Sequence, residues 1–344
     1  MSSATLAIIA FVIIAFSWTV YIIQELFITG SSALNMAICK NEEERKQIQV
    51  ISGLHFDGIE VWLLAAITLT LGLFPLVFGE TFTYLYVVFF LLLYAIIGRG
   101  VSIEVIYKLE SKKWIKAMVI TWTVSSALLI FILGVYISNI FYGFPMDSTG
   151  EMTSSYFSLF NITGLSGGIF FLSSALIAGT GWINLNTVGD VGVKALIFVK
   201  RFGVIYVMPI SLMITVMGFN NTDASIFIGE LFSKSFLFFI FPLLTVVFAL
   251  ITVFAGYKGK SKKLFIFSLL TMALFLLTGF IGIFPYMVPS NLAVENGITI
   301  YDAIVSNQAV EVVLITVLIF YPLIFLYQGW KYKKFAKKVN LNDE

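Results

Sequence analysis

Long apolar blocks, separated by short polar connections, run through the whole chain. Many of these blocks are longer than the ~20 residues that a helix needs to cross a bilayer. The pattern predicts an all-α, polytopic membrane protein that forms one transmembrane domain over residues 1–344. About nine transmembrane helices are predicted, at residues 5–29, 50–77, 82–107, 114–141, 156–184, 197–219, 231–256, 262–285 and 308–331.

Basic residues alternate between the connections. One side of the predicted membrane, with Arg99 counted near its connection, holds 20 of the 21 Lys and Arg residues, and the other side holds Lys234. Basic loops stay in the cytoplasm. We therefore predict that the N-terminus lies outside and the C-terminus lies in the cytoplasm.

Composition narrows the function further. Charged residues make up 12% of the chain, whereas soluble domains contain about 25%. The single cysteine, Cys39, excludes an internal disulfide and thiolate metal clusters. Haem and copper centres usually need several ligands placed together, and the chain has one histidine, His55. We expect no metal bound by this chain, and the net charge of +2 gives no indication of nucleic-acid binding.

Ionisable residues near or inside the predicted helices are the candidate functional residues, because burying a charged side chain in the bilayer costs free energy. They are Glu25, His55, Asp57, Glu60, Arg99, Glu104 and Glu311. Asp57 and Glu60 are three residues apart, so both project from one helix face. Protonatable acids in a row fit a proton relay. Ion pairs, or side chains that reach the cytoplasmic interface, would be a purely structural explanation.

The segment from Gly53 to Trp62, GLHFDGIEVW, resembles the H-W-D-G-x-Q/E-V-W signature of subunit II of the cytochrome bd-type quinol oxidases. Other segments resemble the same family, in the same order and with similar spacing. They are residues 40–45, 98–104, 113–116, 184–189, 284–290 and 327–330. The resemblance covers almost the whole chain.

The resemblance implies a haem-free subunit of a bacterial cytoplasmic (inner) membrane oxidase that oxidises quinol and reduces dioxygen to water. Two four-helix bundles and one peripheral helix would form the fold. The partner would be a haem-bearing subunit I with haems b and d, or b only. This chain would stabilise that partner, contribute to proton uptake, and in some members assist oxygen access. Membrane lipid, a structural quinone and a small accessory subunit are further partners found with this family.

Residue roles follow from the resemblance by position. Asp57 would be the central relay acid, Glu25 the first acid of the family's D/E-G-F-D-x-G motif, and Glu104 the acid that ends the third helix. Trp62 aligns with a Trp that lines the oxygen route in some members. Glu60 and His55 complete the proton-path candidates.

Two positions depart from the family pattern. Ile28 replaces the second acid of the D/E-G-F-D-x-G motif, and Asn186 replaces an Arg. Since Ile28 has no exchangeable proton, a relay must skip this position, use another residue, or run through subunit I alone.

Two other functions stay open. A proton-coupled secondary transporter would also use intramembrane acids, although the chain shows neither a clear internal repeat nor helices broken at mid-membrane. A purely structural partner of the haem subunit would need no relay at all, and the Ile28 departure favours it.

The predicted topology can be tested by cysteine labelling in a Cys39→Ser background. A membrane-impermeant maleimide should label Glu151→Cys in intact protoplasts. It should label Lys112→Cys only in inside-out vesicles, because the Lys-rich connection is predicted to be cytoplasmic. The reverse labelling pattern would invert the topology.

Overall fold

The computed structural model describes residues 2–148, 151–153, 156–219, 240–335 and 338–339. For residues 57, 156, 204–205, 207–219 and 294 it describes the backbone alone. The helices in these ranges are α1 Ser3–Ala33, α2 Asn35–Ile38, α3 Glu42–Leu73, α4 Pro75–Tyr84, α5 Tyr86–Val105, α6 Lys112–Tyr142, α7 Ile162–Asn186, α8 Asp190–Phe219, α9 Ile240–Tyr257, α10 Ser261–Ile283, α11 Ile300–Ala303 and α12 Asn307–Lys334. One short hairpin pairs β1 Tyr286–Val288 with β2 Ile298–Thr299.

Eight helices of the described part are long and apolar enough to cross a membrane, namely α1, α3, α5, α6, α7, α9, α10 and α12. A helical membrane protein is therefore confirmed. The remaining predicted span, 197–219, lies within the helix α8 and ends where it ends. The connection with Asp223, Glu230 and Lys234, and the start of the span predicted at 231–256, lie outside the described residues.

The predicted boundaries around α3 and α4 were wrong. α3 begins at Glu42, eight residues before the predicted start, because the Asn41 side chain accepts a hydrogen bond from the Glu44 N–H at 2.8 Å and caps it. α3 ends at Leu73, where Pro75 follows and disfavours a helical residue 74. Gly79–Thr81, expected to be a connection, lies inside α4.

Two further helix starts also differ from the prediction. α7 begins at Ile162, after a 3₁₀ turn, since Asn161 caps it by accepting from the Gly164 N–H at 2.8 Å. α8 begins seven residues before the predicted position 197, at Asp190, whose charge suits a helix N-terminus.

The long helices form two groups. α1, α3, α5 and α6 pack together, and α7 to α10 form the second group. α1 and α6 contact α7 and so join the two groups. α12 lies against α1 and α3 at the edge. Most of its apolar side chains are exposed, such as Leu318 (75%) and Leu326 (71%), so this face contacts lipid or another protein.

The groups approach so closely that only glycine fits at some contacts. A Cβ atom on Gly30 of α1 would clash with the backbone oxygen of Ala175 in α7. One on Gly168 of α7 would lie 2.6 Å from the Phe131 ring in α6. Small residues at helix contacts are typical of membrane proteins, where backbones pack without large side chains between them.

The connections sort to two ends of the molecule as the charge alternation predicts. At the basic end, the Val188 N–H donates to Gln47 at 3.0 Å, and the Val339 N–H donates to the Asn186 carbonyl at 2.9 Å. At the other end, the Val305 N–H donates to the Leu73 carbonyl at 3.1 Å. Which end faces the cytoplasm stays a prediction.

Gly30→Ala should lower the melting temperature of the purified protein, because overpacking against the Ala175 backbone costs about 1–3 kcal/mol. Gly72→Ala is the matched control, since an added Cβ there meets nothing within 4 Å. Thermal unfolding in detergent measures both. Equal melting temperatures for the two variants would contradict the close α1–α7 contact.

Candidate functional site

A buried ion pair occupies the core of the first helix group. Arg99 of α5 donates from Nη1 to Glu25 Oε1 of α1 and also to the Thr29 hydroxyl, which in turn donates to the same carboxylate oxygen. Both charged side chains are about 1% exposed. The ion pair foreseen as a structural explanation for Glu25 and Arg99 is therefore present.

Helix geometry brings these groups together. Tyr21, Glu25 and Thr29 recur every four residues and lie on one face of α1. The Arg99 guanidinium lies over the Phe56 ring of α3, with 4.8 Å from Cζ to the ring centroid. The ring adds a cation–π attraction to the guanidinium.

The two carboxylate oxygens of Glu25 have different surroundings. Oε1 accepts from both Thr29 and Arg99, whereas from the described residues Oε2 receives one long contact of 3.4 Å, from Arg99 Nη2. Oε2 therefore has spare capacity to accept a further hydrogen bond or a proton.

His55 is packed between rings. Its imidazole stacks on Tyr332 of α12, with centroids 4.3 Å apart and planes 11° apart, and it meets Trp182 of α7 edge-on at 5.4 Å. The side chain of Asp57, the predicted central relay acid, lies outside the described residues. Its backbone lies in α3 between His55 and Glu60.

Trp62 is fully buried between α3 and α12. Its Nε1 donates to Gln328 Oε1 at 3.0 Å, and its ring contacts Tyr321 and Phe325. Gln328 also donates to the Gly58 carbonyl at 2.7 Å, which fixes α12 on α3.

Glu60 lines an apolar cavity of about 390 Å³ together with Tyr21 and Trp18. The other walls come mainly from α3, α5 and α6. A smaller cavity of about 60 Å³ shares Trp18 and Tyr136 with it. Trp62, the oxygen-route candidate, lines neither of these two cavities.

Two predicted positions stand apart from the buried pair. Glu104 is exposed near the basic end of α5. Ile28, at the family's second acid position, is fully buried one turn from Glu25. The described structure thus groups Glu25 with Arg99 and Thr29, and not with Glu104.

Clustered metal ligands are not found among the described residues. These residues contain no group of three or more His, Cys, Asp or Glu side chains that could hold a metal ion. His55 is covered by two rings, and burial raises the pKa of the Cys39 thiol to about 12. With this raised pKa the Cys39 thiol stays protonated near neutral pH. Because metals bind the thiolate, Cys39 is a poor metal ligand.

Comparison with known proteins identifies the family. The model of the family "Cytochrome bd terminal oxidase subunit II" matches residues 6–335. This chain belongs to the cytochrome bd terminal oxidase subunit II family. Such a subunit forms part of a complex with subunit I, so the chain is a quinol oxidase subunit and a multi-pass protein of the bacterial inner membrane.

Similar subunits II come from several bacteria. Cytochrome bd ubiquinol oxidase subunit 2 of Bacillus subtilis is 26% identical, over 96% of each chain. Cytochrome bd-I ubiquinol oxidase subunit 2 of Escherichia coli K12 is 24% identical, over 94% of this chain and 92% of that one. The bd oxidase structure from Geobacillus thermodenitrificans has the same fold, with a TM-score of 0.71 at 16% identity, over 94% and 98% of the two chains.

Sequence reasoning did not include several side chains of this subunit II site. Thr29 and Phe56 contact the ion pair, and Gln328 contacts Trp62. The spacing of Thr29, one turn after Glu25, was a signal, whereas the residue types of Phe56 and Gln328 gave none. Arg99 could have been paired with Glu25, because both are charged residues at the same predicted end of their helices.

Glu25→Gln should destabilise the protein by about 3–5 kcal/mol, because it leaves the Arg99 charge buried without a counter-charge. The double variant Glu25→Gln/Arg99→Gln should recover part of that loss. Glu44→Gln is the control, since the Glu44–Lys194 bridge at the basic end should contribute at most about 1 kcal/mol. Thermal unfolding in detergent compares the four proteins. A double variant less stable than Glu25→Gln would refute the buried pair.

Proposed function

We propose that this subunit II stabilises the haem-bearing subunit I and delivers protons to it from the cytoplasm, with Glu25 as the proton-carrying group. Reduction of dioxygen to water consumes protons, and the predicted topology places the basic end of the molecule in the cytoplasm. The chemistry on quinol and dioxygen belongs to subunit I, so this chain alone is not catalytic.

The observation that supports the proton role is the fully buried Glu25 carboxylate. An ionisable group inside a membrane helix is costly and marks a functional site by default. Arg99 and Thr29 donate to Oε1, whereas from the described residues Oε2 receives only the long contact from Arg99 Nη2 and so can accept a further hydrogen bond or a proton. Asp57, Glu60, Glu104 and His55 stay further candidates for the same path.

We propose oxygen access as a second role of this subunit. Dioxygen is apolar, and the 390 Å³ cavity between α1, α3, α5 and α6 offers apolar space within this chain. Trp62 is held by Gln328 and two rings, so its contribution would be to fix α12 beside that region rather than to line the space.

The haems, b and d or b only, are proposed to lie in subunit I. The absence of a group of three or more His, Cys, Asp or Glu side chains that could hold a metal ion, among the described residues, supports this placement. A structural quinone, membrane lipid and a small accessory subunit are further proposed partners.

A purely structural role is the second candidate. Two observations favour it: Ile28 removes an acid that the family uses, and Arg99 already neutralises Glu25. The structural role also assumes subunit I as the partner. It differs from the first proposal because it predicts that loss of the Glu25 carboxyl group leaves turnover unchanged. No observation favours the transporter.

The test uses the complex purified through a tag on this chain. The wild type should co-purify with haem absorption bands and quinol-dependent oxygen consumption. Glu25→Gln/Arg99→Gln keeps the charge balanced but removes the proton carrier, so turnover should fall by about 100-fold or more. Glu25→Asp, which keeps a carboxyl group, should retain most of the activity.

The haem spectrum of each variant shows whether subunit I is assembled. Full turnover of the double variant with normal haem bands would reject the proton role and establish the structural one. A colourless chain that purifies alone from cells that make subunit I would reject both.

A further inference from the structure

Lysine side chains crowd two segments at the basic end of the molecule. Residues 331–338 hold five Lys directly after the last span, and residues 258–263 hold four Lys around the turn between α9 and α10. Neither segment contains an acid, and the first acids after residue 338 are Asp343 and Glu344. Since like charges at short range repel each other, such segments favour an anionic partner.

The chain returns to the protein after α12 ends. The Val339 N–H donates to the Asn186 carbonyl at 2.9 Å, at the end of α7. Val339 lies four residues after Phe335, the C-cap of α12, and four residues span at most about 14 Å. The Lys-rich segment after α12 therefore connects the edge of the first helix group to the end of a helix in the second group.

The two Lys-rich segments meet at the end of α7. Ser261, the first residue of α10, donates from its hydroxyl to Asn184 Oδ1 at 2.6 Å. Asn184 lies two residues before Asn186, which holds Val339. The exposed Lys side chains around this point form what we call the lysine surface: Lys260, Lys262, Lys263, Lys333, Lys334 and Lys338.

An aromatic ring indicates the depth of this surface. Trp330 of α12 is 55% exposed, and Lys334 lies over its ring with 4.8 Å between Nζ and the ring centroid. Exposed Trp residues near the ends of spans are typical of the membrane–water interface. Lys334 follows Trp330 by one turn, about 6 Å along the helix axis, so the ammonium groups lie at the level of the lipid headgroups.

We propose that the lysine surface binds the phosphate groups of anionic lipids in the cytoplasmic leaflet. Clusters of roughly four to eight basic residues directly cytoplasmic of a transmembrane helix attract anionic lipid. A free phosphate ion carries the same charge, but the surface lies at the edge of the bilayer, where lipid phosphates are held in place. A bound headgroup would join the segment after α12 to the α9–α10 turn, and so link the two helix groups.

This proposal gives a site to the membrane lipid proposed above as a partner. It rests on the predicted topology, which places the basic end in the cytoplasm, and not on the proton role of Glu25. Its readout is lipid binding rather than turnover, so either proposal can fail while the other stands.

Native mass spectrometry of the complex, titrated with phosphatidylglycerol or phosphatidylcholine, tests the site. The wild type should bind the anionic lipid at least about tenfold more tightly than the zwitterionic one. Lys333→Gln/Lys334→Gln/Lys338→Gln should lower that preference by about tenfold or more, because each Lys near the surface contributes about fivefold in affinity. The corresponding triple Arg variant keeps the charge and should keep the preference.

Lys108→Gln/Lys112→Gln/Lys113→Gln is the matched control. It removes the same charge from the same predicted side of the membrane, at the connection between α5 and α6. The lipid preference of this variant should equal that of the wild type. An equal loss in both triple Gln variants would overturn the site, because the preference would then follow the total charge of the basic end.

The wild-type complex supplies the remaining outcomes. Equal affinity for the two lipids would overturn the proposal. Displacement of bound phosphatidylglycerol by an equal concentration of inorganic phosphate would also overturn it, in favour of a free-anion site. Should the Gln variant of the lysine surface fail to assemble with subunit I, the salt dependence of the wild type decides. Added salt screens exposed charges, so phosphatidylglycerol binding that salt leaves unchanged would overturn the proposal.

Discussion

The buried pair of Glu25 and Arg99 sets the constraint on which the first helix group depends. Two charges inside a lipid-embedded bundle are tolerated only when they neutralise each other and their remaining hydrogen-bonding capacity is used. Thr29 and the Phe56 ring meet part of that demand. α1, α3 and α5 must therefore stay in one register, since a shift of one turn would separate the carboxylate from the guanidinium.

Close backbone contact between α1 and α7 is the second constraint on the fold. α1 lies between the two helix groups because Gly30 and the small residues of α7 let their backbones touch. The polar face of α1 then points into the first group, where α3, α5 and α6 surround it. α1 thus helps α6 to join the two halves and also supplies the carboxylate. A change in its packing would therefore also move the candidate site.

Apolar block length and the alternation of basic loops were sufficient to predict the helical membrane fold, since both follow from the bilayer itself. They did not locate the end of α3 at Leu73, because Pro75 begins a short helix within an apolar stretch that reads as continuous. The resemblance located Glu25 but not its partners. Thr29, Phe56 and Gln328 act through tertiary contacts between helices distant in sequence, and their residue types are common in membrane helices.

The replacement of an acid by Ile28 has different consequences under the two functions. In a structural subunit, the apolar side chain at position 28 removes a costly buried group and leaves Glu25 and Arg99 as a neutral pair. In a proton-delivering subunit, no second acid stands at position 28, so the Glu25 carboxyl group itself must pass the proton on. The two functions therefore differ in what they require of Glu25: a counter-charge for Arg99 in the first, and a carboxyl group that can be protonated in the second.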